Sequence, residues 1–540
     1  MPEHTRSAIG DGGESVFSDG SPATTVPADR ADGATGSATL HQVSDLVEAL
    51  DICALDLQAA RRDIDEFVGY CERNLLPVDK PVVAALVAAA HAATERITEQ
   101  RQLLLTQPTV HAGQLSASEL AFRFGLATLS YVRGALEWRS AAFDQSLAVQ
   151  FFDLRAQGSP IVNYERYEHD PVRRVEAQLL GILGLSSERH SISATSSGVA
   201  AYTLVEAFLL RERLRNGDLV LMAPYIYFEA SEQLTTLPFV RVERASGYGV
   251  DEIIADVVLY RPRVLFVDPL ANTAEQRMID LPGLLAGLRS VVLERTTVVI
   301  DGTMLSGGLP PELLDSDDKV EVLYYESGSK YLQLGMDAGM AGMVAYPSEL
   351  RESFDRQRRN TGLILYRHGA DLFPRYERSS YRRRMTRIGA NALRAARLLR
   401  EDRRVTEAGD IFYPGLPDHP DVRVAERLPY AGGCVTFLFH ERARNTKDEL
   451  NVLFDRIFAN ARVLGVQVTK GASFGFSVPR VSAADAFAEG APPFLRLYAG
   501  DRSDQVEALV EAFAQAVTDH VGQPHRDFAN DHSPRISRVS

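Results

Sequence analysis

From Ser44 to Phe152 large apolar residues recur at helical intervals: Leu46, Leu50, Leu55, Leu57, Ile64 and Phe67, then Val82 to Leu105, then Leu120 to Phe151. No strand-like run interrupts them, so the spacing predicts a helical extension of three or four helices over 38–152. After Pro160 the pattern changes. Short β-branched runs, 218-DLVLMA-223, 263-RVLFVD-268 and 297-TVVID-301, alternate with longer helical stretches. Strands that are apolar throughout, separated by crossover-length helices, predict a mostly parallel sheet and hence an α/β domain over 153–400. Over 401–522, the strands 434-CVTFLF-439 and 495-LRLYAG-500 alternate with helices at 447–464 and 503–519, which predicts a smaller α+β domain. Residues 1–37 are rich in Gly, Ser, Asp, Ala and Thr, with too few large apolar groups to repay the entropy of ordering. They are expected to form a disordered tail, and the polar residues 523–540 a flexible one.

Composition narrows the partners. With 540 residues the chain is expected to hold several domains, and 58 Lys+Arg against 72 Asp+Glu leave a net charge of −14. That balance argues against a broad cationic face for nucleic acid or anionic lipid. Apolar runs are short or broken, as by His91, so no membrane span is expected. Met1 to Ser15 lacks the cationic-then-apolar pattern of a secretory leader. The three cysteines, Cys53, Cys71 and Cys434, are far apart and lack metal-ligand spacing, which predicts no metal site, no disulfide framework and a cytoplasmic location.

Candidate chemistry centres on 324-YYESGSKYLQLGMDAGMAGMV-344. It places Lys330 between a hydroxyl-rich turn and a Gly-rich loop, 29 residues after a strand ending in Asp301. A lysine amine so placed can bond covalently to the aldehyde of pyridoxal phosphate. An Asp at the end of a buried strand can keep that ring's nitrogen protonated and the ring electron-withdrawing. Taken alone, the two residues read more readily as a solvated surface lysine and a loop acid. In 194-ATSSGVAAYTLVEAFLL-210 a small-residue turn enters an apolar-periodic helix, where the N–H groups of Ser197, Gly198 and Val199 either face an anion or simply cap the helix.

Several further segments together carry a resemblance. Ser327-Gly328-Ser329-Lys330-Tyr331 is followed by Asp337 seven positions beyond the lysine, and Asp301-Gly302-Thr303 ends a strand. The run 413-YPGLPDHP-420 precedes Gly432-Gly433-Cys434-Val435-Thr436-Phe437, and Arg384-Met385 and Asn391-Ala392 lie on the helical stretch before it. In these motifs the chain resembles the pyridoxal-phosphate-dependent Cys/Met metabolism family, which contains cystathionine synthases and lyases and methionine γ-lyase. The matches run from about 160 to 520. The resemblance implies the fold type I architecture of pyridoxal-phosphate-dependent transferases, with pyridoxal 5′-phosphate held by Lys330.

The same resemblance implies roles for other residues. Asp301 would meet the pyridine nitrogen. Ser197, Gly198, Val199, Ser327 and Ser329 would form the phosphate cradle, and Thr303, in the Asp301-Gly302-Thr303 turn, would bind the cofactor. Tyr164 and Arg166 match a Tyr-x-Arg arm that reaches the phosphate of a neighbouring subunit, which implies a homodimer or homotetramer; Glu176 follows twelve residues after Tyr164. In 223-APYIYFEA-230 the family's glycines are missing, and Tyr225 and Tyr227 both remain candidates for the ring stacked on the cofactor, Tyr227 preferred. Asn272 would bond the cofactor's phenolic oxygen, with Asp268 as a second candidate. Arg496, in 495-LRLYAGDR-502, matches the family's Ile-Arg-Leu-Ser-Val-Gly-Ile-Glu ending and would bind a substrate α-carboxylate. Where the family writes Ser-Leu-Gly-Gly-x-Glu-Ser-Leu, this chain reads 470-KGASFGFSVPR-480, so Ser473 falls where a substrate is held in an altered loop.

The resemblance implies β- or γ-elimination or γ-replacement on a small amino-acid substrate: a homoserine ester, a sulfur amino acid or an S-adenosylmethionine-like donor. The altered loop and the extension suggest specialised metabolism. An aminotransferase shares Lys330 and Asp301 and is the alternative; a non-catalytic regulator or scaffold is the second. The extension reads as an oligomerisation or shielding element, or as a cover for a large substrate.

Overall fold

The computed structural model describes residues 40–73, 75, 77–136, 166–471, 473–485 and 491–523. The expected tail over 1–37, any fourth helix over 137–152, and all but the first residue of the tail expected over 523–540 lie outside them. Three long helices come first: α1 (Leu40–Arg73), α2 (Lys80–Thr106) and α3 (Ala112–Leu136). Asp79 caps α2 by accepting from the Val82 N–H at 3.1 Å, with Pro81 in the first turn where its missing N–H costs nothing. The apolar stripes close on one another, Leu50, Leu57 and Ile64 from α1 meeting Leu86, Ile97 and Leu104 from α2 and Phe122, Leu126 and Leu129 from α3. Gly125 permits this approach, since a Cβ there would lie 2.6 Å from Ile97 Cδ1 and 2.7 Å from Cys53 Sγ.

The middle of the chain builds a seven-stranded sheet of β1 (His190–Thr195), β2 (Leu219–Met222), β3 (Arg241–Arg244), β4 (Val264–Val267), β5 (Thr296–Asp301), β6 (Val320–Ser327) and β7 (Gly342–Pro347). Their order is β1-β7-β6-β5-β4-β2-β3. β3, β2, β4, β5 and β6 run parallel, and β7 runs antiparallel to both of its neighbours. Central strands such as β5, with Val298, Val299 and Ile300 fully buried, are apolar on both faces because helices cover both. The edge strand β3 carries Arg241, Glu243 and Arg244, which discourages pairing with another edge. In register, Val267 of β4 pairs with Ile300 of β5 and Asp301 with Tyr325 of β6, so Asp268, Asp301 and the turn after Ser327 all emerge at one rim. Crevices beyond the carboxyl ends of parallel strands are where such sheets bind ligands.

The helix Arg378–Glu401 leads to a second sheet of β8 (Gly409–Phe412), β9 (Cys434–Phe439), β10 (Thr469–Lys470), β11 (Arg480–Ala484) and β12 (Phe494–Tyr498). Its order is β10-β11-β12-β9-β8, antiparallel except for β10 with β11. The helices Lys447–Val463 and Val506–Val521 are amphipathic and bury Leu450, Leu453, Leu509 and Phe513. Among the described residues no helix is long and apolar enough to cross a membrane, and no cluster of three or more metal-ligating side chains occurs. The three cysteines are buried and unpaired.

Candidate active site

Lys330 follows the turn that ends β6. Its Nζ donates to Ser473 Oγ at 2.8 Å and lies 5.5 Å from the centroid of the Phe474 ring. Arg496, buried on β12, lies 5.4 Å from the same ring, and its Nη1 donates to Asn272 Oδ1 at 2.8 Å. Asn272 in turn bonds the hydroxyl of buried Tyr225, whose ring packs with Ala271 and Phe494. Tyr227 is only partly buried; its hydroxyl bonds Glu229 and its backbone N–H bonds the Asp268 carboxyl. Asp301 accepts from the Thr303 N–H at 2.9 Å and from the hydroxyls of Thr303 and Tyr325. Thr303 Oγ1 accepts the Ser327 N–H at 3.0 Å, and Ser329 Oγ accepts the Ala341 N–H at 3.1 Å.

Ser197 is the N-cap of the helix Gly198–Glu212, its Oγ accepting the Ala200 N–H at 3.0 Å. The turn presses on the end of β6, because a Cβ at Gly198 would lie 2.7 Å from Ser327 Cβ. Backbone N–H groups at a positive helix end therefore sit beside the hydroxyl-rich lysine turn, an arrangement suited to a phosphate.

Burial lowers the proton affinity of Lys330, and the Arg496 charge lowers it further. Burial raises Asp301, while bonds from Thr303 and Tyr325 favour its ionised form. Asp268 is raised well above the usual carboxylate range, by burial first and by the charge of Asp301 second. The site thus holds an amine biased towards neutrality, a hydrogen-bonded carboxyl, and a second carboxyl biased towards its protonated form.

The structure brings together Lys330, Ser473, Arg496, Asn272, Tyr225, Tyr227, Asp301 and Thr303, and sets Ser197, Gly198 and Val199 against Ser327. Arg166 is grouped elsewhere: its Nη1 donates to the Arg359 carbonyl at 3.2 Å and it lies 5.3 Å from the Tyr167 ring. Tyr164 is outside the described residues. Glu176 accepts the Ala194 N–H at 2.9 Å and pairs with Arg358, bracing β1 against the helix Arg351–Thr361. Sequence reasoning missed Phe474, Tyr325 and Arg480. Arg480 lies 4.0 Å from the Phe476 ring and within 3.5 Å of the Ser473 carbonyl. The only signal for Phe474 and Arg480 was the departure of 470–480 from the expected motif, whereas Tyr325 stood in the lysine segment with nothing to single it out.

The model of the family described as Cys/Met metabolism PLP-dependent enzyme matches residues 136–467. The chain belongs to this family. It is a pyridoxal-phosphate-dependent enzyme of fold type I. A curated relative, the bifunctional enzyme flvA of Aspergillus flavus, is 34% identical over 398 residues, which cover 73% of this chain and 47% of that protein. The chain therefore spans about half the length of that relative. Among solved structures it is similar in fold to cystathionine gamma synthase from Xanthomonas oryzae pv. oryzae, with TM-score 0.55 and 20% identity over 68% of this chain and 90% of that one. It is likewise similar to CalE6, a methionine gamma lyase from Micromonospora echinospora, with TM-score 0.53 and 22% identity over 68% and 90%.

The residues present fit the family's cofactor. Lys330 offers an amine of lowered proton affinity, Asp301 a carboxyl at the strand end, and the Ser197–Gly198 turn a cradle that a Cβ would fill.

Proposed function

We propose that the protein catalyses β- or γ-elimination or γ-replacement on an activated amino acid, with Lys330 moving the Cα proton. The observation that carries this reading is the Lys330 amine, held by Ser473 at 2.8 Å and biased towards the neutral form by burial beside Arg496. A neutral amine can take a proton, whereas an ordinary lysine at neutral pH cannot. Bound pyridoxal phosphate supplies the electron sink that makes that proton removable.

The chain's own residues do the rest. Asp301 places a carboxylate for the ring nitrogen, its charge favoured by Thr303 and Tyr325. Ser197, Gly198 and Val199 offer N–H groups to the phosphate, Ser327 and Ser329 add hydroxyls, and Thr303 binds the cofactor beside Asp301. Tyr227 is the better ring to stack, since the Tyr225 hydroxyl is engaged by Asn272 and its ring is packed away. Asn272 stands ready for the phenolic oxygen, and the Arg496 guanidinium for the substrate carboxylate. In the oligomer, Tyr164 and Arg166 of one subunit serve the phosphate of its neighbour. A homoserine ester, a sulfur amino acid or an S-adenosylmethionine-like donor suits such a site, in specialised metabolism.

The test has two stages. Borohydride treatment of the yellow protein should fix a covalent adduct that maps to Lys330, and Lys330→Ala should lose both the adduct and turnover. A mass-resolved screen with activated amino acids should then return an elimination or replacement product. Adduct on a different residue would end the reading, and accumulation of pyridoxamine phosphate would replace it with transamination.

A further inference from the structure

The N-terminal bundle is joined to the rest of the molecule by a buried, charged seam that ends at the catalytic loop. On the far side lies the family's Ile-Glu position, read here as Asp501-Arg502. Arg502 is completely buried, and its charge is met from α3: its Nη2 donates to Glu119 at 2.7 Å and Ser116 Oγ at 3.3 Å, and its Nη1 to the Ala112 carbonyl at 3.0 Å. Glu119 also bonds the Ser477 side chain. From α1, Asp45 accepts from Arg383 at 2.8 Å and Arg387 at 3.1 Å, and Glu48 accepts from Ser380 at 2.6 Å.

These contacts converge on Arg384. Its Nε donates to Asp501 at 2.8 Å and its Nη2 to the Gly475 carbonyl at 2.9 Å. Gly475 has φ +99°, and a Cβ there would lie 2.2 Å from the Lys330 carbonyl, so only glycine lets this loop press on the lysine. Two residues earlier, Ser473 receives the Lys330 amine. The loop after the lysine also meets the bundle: Met336, with Leu334 and Ala338, packs on the core formed by α1, α2 and α3, and Arg123 of α3 donates to the Asp337 carbonyl at 3.4 Å. A cavity of about 50 Å³ lies in the seam, lined by Asp45, Glu48, Glu119, Arg384, Arg387 and Asp501 among others.

We propose that the N-terminal bundle is a positioning element for Lys330, acting through Glu119, Asp45 and Arg384 on the 473–477 loop. This rests on Lys330 being the catalytic amine, and it goes beyond shielding or assembly. Removing one partner of a buried pair leaves the other charge uncompensated, so the seam tolerates no loosening on one side alone.

The experiment uses the cofactor-loaded full chain with Glu119→Gln, Asp45→Asn and, as a control, Ile97→Ala, which opens the bundle's interior without touching the seam. Hydrogen exchange in 473–477 should rise roughly tenfold in the two seam variants and stay unchanged in the control. The pH midpoint of the cofactor's visible band should move up by about half a unit in the same two variants, as burial at the lysine relaxes. The charged or titratable groups facing Lys330, namely Arg496, Arg480, Asp337, Glu229 and Cys434, are left in place by all three variants. Should Glu119→Gln not accumulate as folded protein, Glu119→Asp takes its place. Parental exchange and midpoint in the seam variants, or equal changes in Ile97→Ala, would overturn the proposal. Adduct mapping tests Lys330 itself, so its failure is distinguishable from failure here, because loop exchange is read whichever residue is the base.

Discussion

At the scale of single residues, the site is a set of groups whose protonation is set by burial. Lys330 loses proton affinity and Asp268 gains it within one crevice, so the same low polarity biases both the amine and the acid towards their neutral forms. Glu326 extends this beneath the lysine turn. Its Oε2 accepts from Tyr324 at 2.6 Å, and burial pushes the carboxyl up to about 8 against the opposing hydrogen bonds from Ser306 and Tyr324. In the unfolded chain this carboxyl ionises near its ordinary value, whereas the folded protein keeps the proton up to about pH 8. Below both values it costs nothing. As pH rises from about 5 to 8 the unfolded state releases a proton that the folded state retains, and stability falls. Glu326→Gln, which mimics the protonated form, should flatten that slope, with roughly 4 kcal/mol in its favour at pH 8 and little difference at pH 4.5. Denaturation midpoints of both proteins at the two pH values check this; parallel curves would mean that Glu326 ionises freely in the fold.

Among elements, the site depends on two turns meeting. The helix Gly198–Glu212 begins where β6 ends, and Gly198 is the residue that makes the approach possible, since a Cβ would collide with Ser327 at 2.7 Å. Gly198→Ala should push the Ser197 turn away from the lysine turn and weaken retention of pyridoxal phosphate by tenfold or more, as a rough scale. Equilibrium dialysis against the free cofactor measures it, with circular dichroism showing the fold kept; unchanged retention would remove this turn from the phosphate cradle. The sequence foretold these elements unevenly, for physical reasons. β2, β4, β5 and β9 were legible because a strand buried on both faces must be apolar throughout, and 434–439 matches β9 residue for residue. The direction of β7 was not, because 342-GMVAYP-347 reads the same whichever way its neighbours run. The lysine, Asp301 and Arg496 were legible through motif spacing. Phe474, Arg480 and the Arg384–Gly475 contact were not, since a loop without periodicity reveals its partners only once folded. The charge of Arg502 drew no reading within the matched ending, because its partner, Glu119, lies 383 positions away in sequence.

For the whole molecule the question is whether one chain completes its own site. Arg166 donates to the Arg359 carbonyl and lies over the Tyr167 ring, and the resemblance implies that the arm carrying it serves a neighbour. An arginine fork is the natural partner of a phosphate, so Arg166→Ala should weaken cofactor retention by removing a charge-assisted bond from the adjacent subunit's site. In a dimer with two composite sites, a subunit lacking Arg166 and one lacking Lys330 fail differently. Paired with each other, they leave one site with both defects and one with neither. Random exchange of equal amounts makes half of the dimers mixed, each with one intact site, so about a quarter of the parental activity should return from two proteins that are each inactive alone. Measuring activity after mixing, in a preparation shown to exchange subunits, decides the matter. No recovery would mean that Arg166 serves its own subunit or that the phosphate is held without it, and the cradle would then rest on the Ser197–Gly198 turn and the hydroxyls of Ser327 and Ser329.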